Sequence, residues 1–521
     1  MATFLVSLLK DETSASLFTI SIAILVSAGL YFLTYLRRTP NSMPGPRGLP
    51  IVGYMPFLRP NHLHRQFTAL AQAHGPIYKI QTPSKLLVVV SSPALAREVL
   101  RANESTFSAR PTPIAVKILG YGGMEVGTLP WGPDWAGLRK ILVRDVLSNR
   151  ALDTCHALRE RAVAAGIREI RAESIGKPTR VFDAAFKLVV DSTLAMLWGG
   201  GDGEGGADFA AEYREATREV SQLMGRPNVS DAFPLLARFD LQGVQREAAV
   251  LAARMDGMIS SVIERRLGDL AGKKGMASKD LLQILLEVQG GGGDLSTGSL
   301  IASTSSVHFK GLILDIASGG TNTTAMLIEW AITELLSNEE VMIKVVQELD
   351  RIVGPKSLMD DHHLKELSYL NAVVKETCRL HLAMVARVAG QPCTVGGYSI
   401  PKGATVLINT WAIHRDPQLW ADPLQFRPER FLNEVENGPR FSFTGSNFQY
   451  LPFGSGHRVC AGLNLAERLM NHVLASMLHS FEWKLPDGEE RPDFSDKFGP
   501  FVRKQKPLIA IPFLRPGSGL A

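Results

Sequence analysis

Residues 16–36 (SLFTISIAILVSAGLYFLTYL) form an unbroken run without a charged side chain, and that run limits every architecture open to the chain. A helix rises about 1.5 Å per residue, so a segment of this length covers the ~30 Å hydrocarbon layer of a bilayer. It reads as one transmembrane helix, with lipid as its partner. Arg37, Arg38 and Arg47 follow it, whereas Lys10, Asp11 and Glu12 precede it without net positive charge. The positive-inside bias then places residues 1–15 in the lumen and everything after the helix in the cytosol. A cleaved signal peptide would have a shorter apolar core and small residues where the two arginines stand.

Residues 37–53 are rich in proline and glycine, which deny helix and central strand and give a semi-rigid neck. The remainder, 54–521, is long enough for one large domain or several. Hydrophobic residues at 45% and charged residues at 21% are ordinary globular usage, and a net charge of +5 gives no general nucleic-acid footprint. Cys155, Cys378, Cys393 and Cys460 show no paired spacing, which excludes a disulfide scaffold and a zinc ribbon.

Apolar residues recur at three- and four-residue spacing over 67–73, 93–102, 135–148, 158–172, 209–224, 245–270 and 307–336, which predicts helices. Only 85–92 and 405–409 read clearly as strands. The expected fold is mainly α with small β-sheets, in a single large domain. The glycine-rich strings at 199–206 and 290–294 read as loops. The G-x-G-x-x-G match at 201–206 lacks the preceding strand that a dinucleotide cradle needs. The N-x-S/T strings at Asn103, Asn228 and Asn322 lie on the cytosolic side of the expected topology and carry no meaning there.

The informative string is FGSGHRVCAG, residues 453–462. Cys460 stands just before an amphipathic helix, whose N–H groups and positive end favour a thiolate. Gly456 permits a turn that a Cβ would obstruct, Gly462 allows close approach to something flat, Arg458 offers a fork suited to a carboxylate, and Phe453 can shield sulfur from water.

These residues resemble the signature FxxGxRxCxG of the haem-thiolate monooxygenases, the cytochrome P-450 superfamily. The resemblance implies haem b with Cys460 as its axial iron ligand. Glu376 and Arg379 resemble the family's ExxR pair, and Arg430 in FRPERF stands where a second arginine completes a buried triad. Trp135 and Arg139, as WxxxR, resemble the helix that binds a haem propionate. ASGGTNTT, residues 317–324, resembles the oxygen-activation site, with Thr323 as its threonine; Gly319 and Gly320 in a helix interior suggest that a ligand approaches the backbone.

The chain departs from that pattern at Asn322, where the family usually has an acid, so proton delivery needs another donor; Asp315, two turns earlier, is the nearby candidate. The segment after ExxR is short, and Gly390 falls near the place of a propionate-binding residue, which leaves two alternatives: Arg387 takes over that role, or the haem has one contact fewer. The text otherwise resembles plant enzymes anchored in the endoplasmic reticulum, which implies electrons from NADPH through a flavoprotein reductase and an apolar small-molecule substrate. A terpenoid is expected ahead of a flavonoid or phenylpropanoid, because residues 112–119, 313–317 and 383–390 are apolar. Two competing expectations are a haem-thiolate enzyme of desaturation, rearrangement, coupling or isomerisation, which Asn322 motivates, and a non-catalytic membrane haem protein or scaffold.

Deleting residues 1–38 is expected to release the protein from the membrane fraction without loss of haem. Truncated protein that purifies free of haem would show that the N-terminal residues belong to the fold.

Overall fold

The computed structural model describes residues 12–36, 43–199, 206–271, 279–289, 306–354, 359–382, 384–432, 441–499 and 502–515. Arg37, Arg38, residues 39–42 of the neck, Ala383 and most of the two glycine-rich strings lie outside the described residues. The apolar N-terminal run forms a helix, α1 (Glu12–Leu36), with Ile24 and Leu25 exposed. Among the described residues no helix is long and apolar enough to cross a membrane. Of the expected transmembrane helix the structure gives the helix.

The body is mainly helical. The elements that build the site are α2 (Pro133–Lys140), α3 (Val181–Trp198), α4 (Gly206–Met224), α5 (Val244–Ala271), α6 (Ser306–Gly319), α7 (Asn322–Ser337), α8 (Ser368–His381) and α9 (Leu463–Ser480). Every residue of α7 from Thr324 to Leu335 is buried, so this helix is the axis of the core rather than a surface layer. Buried faces of α3, α8 and α9 join it in one hydrophobic cluster. Two expected helices, 93–102 and 135–148, end in wider turns: Pro93–Arg97 continues as a π-helical turn, Glu98–Ala102, and α2 continues as another, Ile141–Val146.

A four-stranded sheet covers one side of the helical body: β1 (Ile77–Gln81), β2 (Leu86–Val90), β3 (Val385–Val388) and β4 (Thr405–Ile408), in the spatial order β1-β2-β4-β3. The pair β2–β4 is parallel with Val88 opposite Val406, and β3 lies antiparallel to β4 with Arg387 opposite Val406. Val88, Val90, Val406 and Ile408 pack into a second apolar cluster. Most of the helical body is thus the crossover between two neighbouring strands.

The Glu376 carboxylate locks this arrangement. Glu376 and Arg379 are adjacent on α8 and have no exposed surface. Arg379 donates through Nε and Nη2 to the two Glu376 oxygens (2.7 and 2.8 Å), and Arg430 donates to Glu376 Oε1 (3.2 Å). The expected triad is therefore assembled. The Arg427 N–H adds a fourth donor to Glu376, while Arg379 Nη1 reaches the carbonyls of His414 (2.6 Å) and Pro423 (2.8 Å). His414, buried and held neutral by a pKa pushed down to about 3, bonds through Nδ1 to the Arg379 carbonyl and accepts the Leu451 N–H at Nε2. One imidazole thus ties α8 to the approach of the Cys460 loop.

Glu376→Ala or Arg379→Ala is expected to abolish stable haem incorporation, because removing one partner strands a buried charge at a cost of about 3–5 kcal/mol. Wild-type holoprotein yield in either variant would make the pair dispensable.

Candidate active site

The Cys460 loop closes on itself and then runs straight into α9. The Cys460 N–H donates to the Phe453 carbonyl (3.0 Å), and the Phe453 ring lies edge-on to Phe443. Gly456 has φ +73°, and a Cβ there would come within 2.5 Å of the Leu100 carbonyl in the π-helical turn, so the residue has to be glycine. At Gly462 the direction of a Cβ meets nothing within 4 Å. The loop is pinned tightly on one side and open on the other, as the sequence required. Burial pushes the Cys460 thiol up, while the Gly462 N–H and the Arg110 and Arg139 guanidinium groups pull it back toward the thiolate.

Four guanidinium groups converge around this loop, those of Arg110, Arg139, Arg387 and Arg458. Arg458 is buried and spends its fork on the Ser108, Val126 (2.9 Å) and Leu129 (2.6 Å) carbonyls. It also stacks over Trp135, 4.3 Å from the ring centroid, and the Trp135 indole donates to the Val126 carbonyl (3.1 Å). Arg139 donates to the Val459 carbonyl (2.6 Å), and Arg110 to the Gly127 (3.1 Å) and Arg458 (3.0 Å) carbonyls. Arg387, on β3, reaches the Ala386 (2.9 Å) and Arg458 (3.4 Å) carbonyls. Arg110 was not visible as a site residue in the sequence, since it belongs to no short motif.

Every hydrogen bond these four arginines make among the described residues goes to a main-chain carbonyl. Burial and mutual repulsion push Arg458 down to about 9 and Arg387 well below its ordinary value. Such a cluster calls for anions, and a haem supplies two propionates beside the thiolate. Among the described residues no group of three or more His, Cys, Asp or Glu could chelate a bare metal ion, so iron held by Cys460 must bring its other ligands with it. The residues fit haem: Cys460 would be its ligand, Arg139 and Arg387 would offer positive charge to the propionates with Trp135 and Arg458 packed behind them, and Phe453, Gly456 and Gly462 shape the loop.

On the opposite wall the expected helix 307–336 is two helices. It breaks between α6 and α7 at Gly320 and Thr321, where two glycines lower helix propensity by about 1 kcal/mol each. Thr323 and Thr324 turn back to cap the Gly319 (3.0 Å) and Gly320 (2.7 Å) carbonyls. At Gly319 a Cβ would meet nothing within 4 Å, which leaves room beside the break. The Asn322 amide donates to Ser221 Oγ on α4, so it ties α4 to the start of α7. Asp315, the expected stand-in, has its Oδ2 engaged by the Val126 N–H (2.7 Å), and among the described residues no direct hydrogen bond joins it to Thr323.

Cys460→Ser is expected to eliminate the thiolate-type Soret band of the ferrous carbon monoxide complex. Its persistence would remove Cys460 as the ligand.

Comparison with known proteins agrees with this geometry. The family described as Cytochrome P450 matches residues 43–511. A flavonoid 3'-monooxygenase from Petunia hybrida is 34% identical, covering 92% of this chain and 93% of the relative. A carnosic acid synthase from Salvia pomifera is 34% identical over 95% of this chain and 99% of its own, and a ferruginol synthase from Salvia fruticosa is 35% identical over the same shares. A solved zebra fish cytochrome P450 with progesterone aligns at a TM-score of 0.72 over 88% of this chain and all of that one, at 24% identity, and so shares the fold. With the thiolate loop, the buried ExxR triad and the arginine cluster in place, the chain belongs to the cytochrome P450 family and is a monooxygenase of that family.

Proposed function

We propose that this monooxygenase sits in the endoplasmic reticulum membrane through residues 16–36, faces the cytosol, takes electrons from an NADPH-dependent flavoprotein reductase and hydroxylates an apolar terpenoid. Bound haem supplies oxygen activation, and the Cys460 thiolate pushes electron density that favours O–O cleavage. The chain's own groups bind and orient. The observation that carries the substrate reading is the polarity of two of the three stretches expected to face it, the third, 383–390, carrying Arg387 of the arginine cluster. The helix Ile114–Leu119 has one charge, Lys117, and that side chain is exposed; residues 313–317 have one, Asp315, and its carboxylate is taken up by a main-chain amide. Little hydrogen-bonding capacity remains for a polyhydroxylated substrate. The carnosic acid and ferruginol synthases favour the same reading, while the Petunia relative keeps a flavonoid as the second.

The reductase reading rests on a concavity on the Cys460 side, lined by Arg101, Arg139, Lys140, Arg144 and His457 with Glu104 among them. A basic hollow of this kind steers an acidic partner toward the ligand loop. The test is co-expression with a plant reductase, followed by mass spectrometry of terpenoid and flavonoid panels. A terpenoid gaining one oxygen atom, dependent on NADPH and the reductase, is the expected result. Conversion of flavonoids alone would overturn the substrate reading, and turnover indifferent to the reductase would overturn the partner.

A further inference from the structure

The Asp315 carboxylate belongs to a clasp that joins the two walls of the site. Residues 124–129 lie against α6, which they approach so closely that a Cβ on Gly311 would stand 3.4 Å from the Met124 carbonyl and 3.5 Å from the Glu125 Cα. Farther along the same helix, Asp315 Oδ2 accepts the Val126 N–H at 2.7 Å. The Cβ position of Gly127 is 3.3 Å from both Asp315 Oδ1 and Glu125 Oε1, so the two carboxyl groups converge on one peptide unit. The other side of those peptides faces the ligand loop. The Val126 carbonyl accepts from Trp135 and Arg458, the Gly127 carbonyl from Arg110, and the Leu129 carbonyl from Arg458.

We propose that Asp315 is a positioning residue: by holding the amide of Val126 on α6 it sets the fan of carbonyls at 126–129 that orients Arg110 and Arg458 behind Cys460, with Glu125 as the group that loosens the hold. The proposal rests on membership of the P450 family and on no particular substrate.

Two carboxyl groups this close, both desolvated, do not ionise independently. Burial and the Glu125 charge push Asp315 up to about 8, and burial likewise raises Glu125. Arg110, Arg139 and Arg458 are the cations that face the pair, and they keep the first negative charge in place. The pair therefore holds one proton at neutral pH. Because the folded value lies above that of a free carboxyl, the protonated form favours the folded clasp; as pH rises through about 8 a second negative charge appears and the loop is repelled from α6.

The test is hydrogen–deuterium exchange of the 120–130 peptide in full-length haem-loaded protein, corrected for intrinsic rates, between about pH 6 and about pH 9. Wild-type protection is expected to fall by up to about tenfold per pH unit below about pH 8 and to level off above it. Asp315→Asn keeps an oxygen acceptor without the charge, so protection should persist and the pH dependence vanish. Glu125→Gln should likewise flatten the profile. Asp315→Leu should lose about tenfold in protection near pH 6, the scale of one hydrogen bond, and shift the Soret maximum as the arginines reorient. Flat wild-type protection, or an Asp315→Asn profile that still falls with pH, would overturn the proposal. If Asp315→Leu fails to load haem, the Asn and Gln profiles decide the question by themselves.

Discussion

A carboxylate with no exposed surface is the constraint on which the remainder of this structure depends. Left alone, the buried Glu376 charge would carry a desolvation penalty of several kcal/mol. It is stabilised by two arginines and a backbone amide drawn from residues 379, 427 and 430, so the C-terminal half of the chain has to wrap around α8 for the charge to be satisfied. His414 extends the hold to Leu451. The thiolate loop is therefore hung from a polar knot, and its geometry is specified by hydrogen bonds as much as by apolar packing.

The region around Cys460 inverts that logic. Glu376 is one anion surrounded by donors; Arg110, Arg139, Arg387 and Arg458 are cations whose fixed partners are neutral carbonyls. Carbonyl dipoles orient a guanidinium but do not neutralise it, so the protein alone leaves an electropositive hollow. Such a hollow suits the haem that the family implies, and its four arginines come from separate parts of the chain, so it exists only in the folded protein.

Much of this was legible in the sequence because it is local. The positive φ at Gly456 and the i, i+3 pair at 376 and 379 are features set within a few residues of the chain, and each stands where expected. The helical periods were read correctly in kind, but the Gly319–Gly320 pair was taken as a cavity within one helix when it ends a helix. Contacts between distant residues were not legible. Nothing in SAR at 108–110 marks Arg110 as a neighbour of the ligand loop, and nothing in IHRDP shows that His414 joins α8 to Leu451. Asp315 was assigned from helical phase alone, which fixes a direction but not what occupies it; a backbone amide from a loop 189 residues away does. Asn322 reads in the sequence as an amide in place of an acid, and the structure adds a contact that the sequence does not show, from that amide to Ser221 Oγ on another helix.

The parallel pairing of β2 with β4 has a consequence for how such a chain comes into being. Leu87 must find Thr405 across more than 300 residues of intervening chain, and no local hairpin brings them together. Closing so long a loop costs entropy before any ladder bond compensates it, and topologies of that kind fold slowly. During synthesis the strand at 86–90 leaves the ribosome long before its partner exists. An unpaired Val-rich edge then waits while nearly all the helical body is made. The sheet can close only once residues 405–408 have emerged, and the Cys460 loop follows them in the chain, so the ligand loop is made after the last strand of the sheet that it lies against.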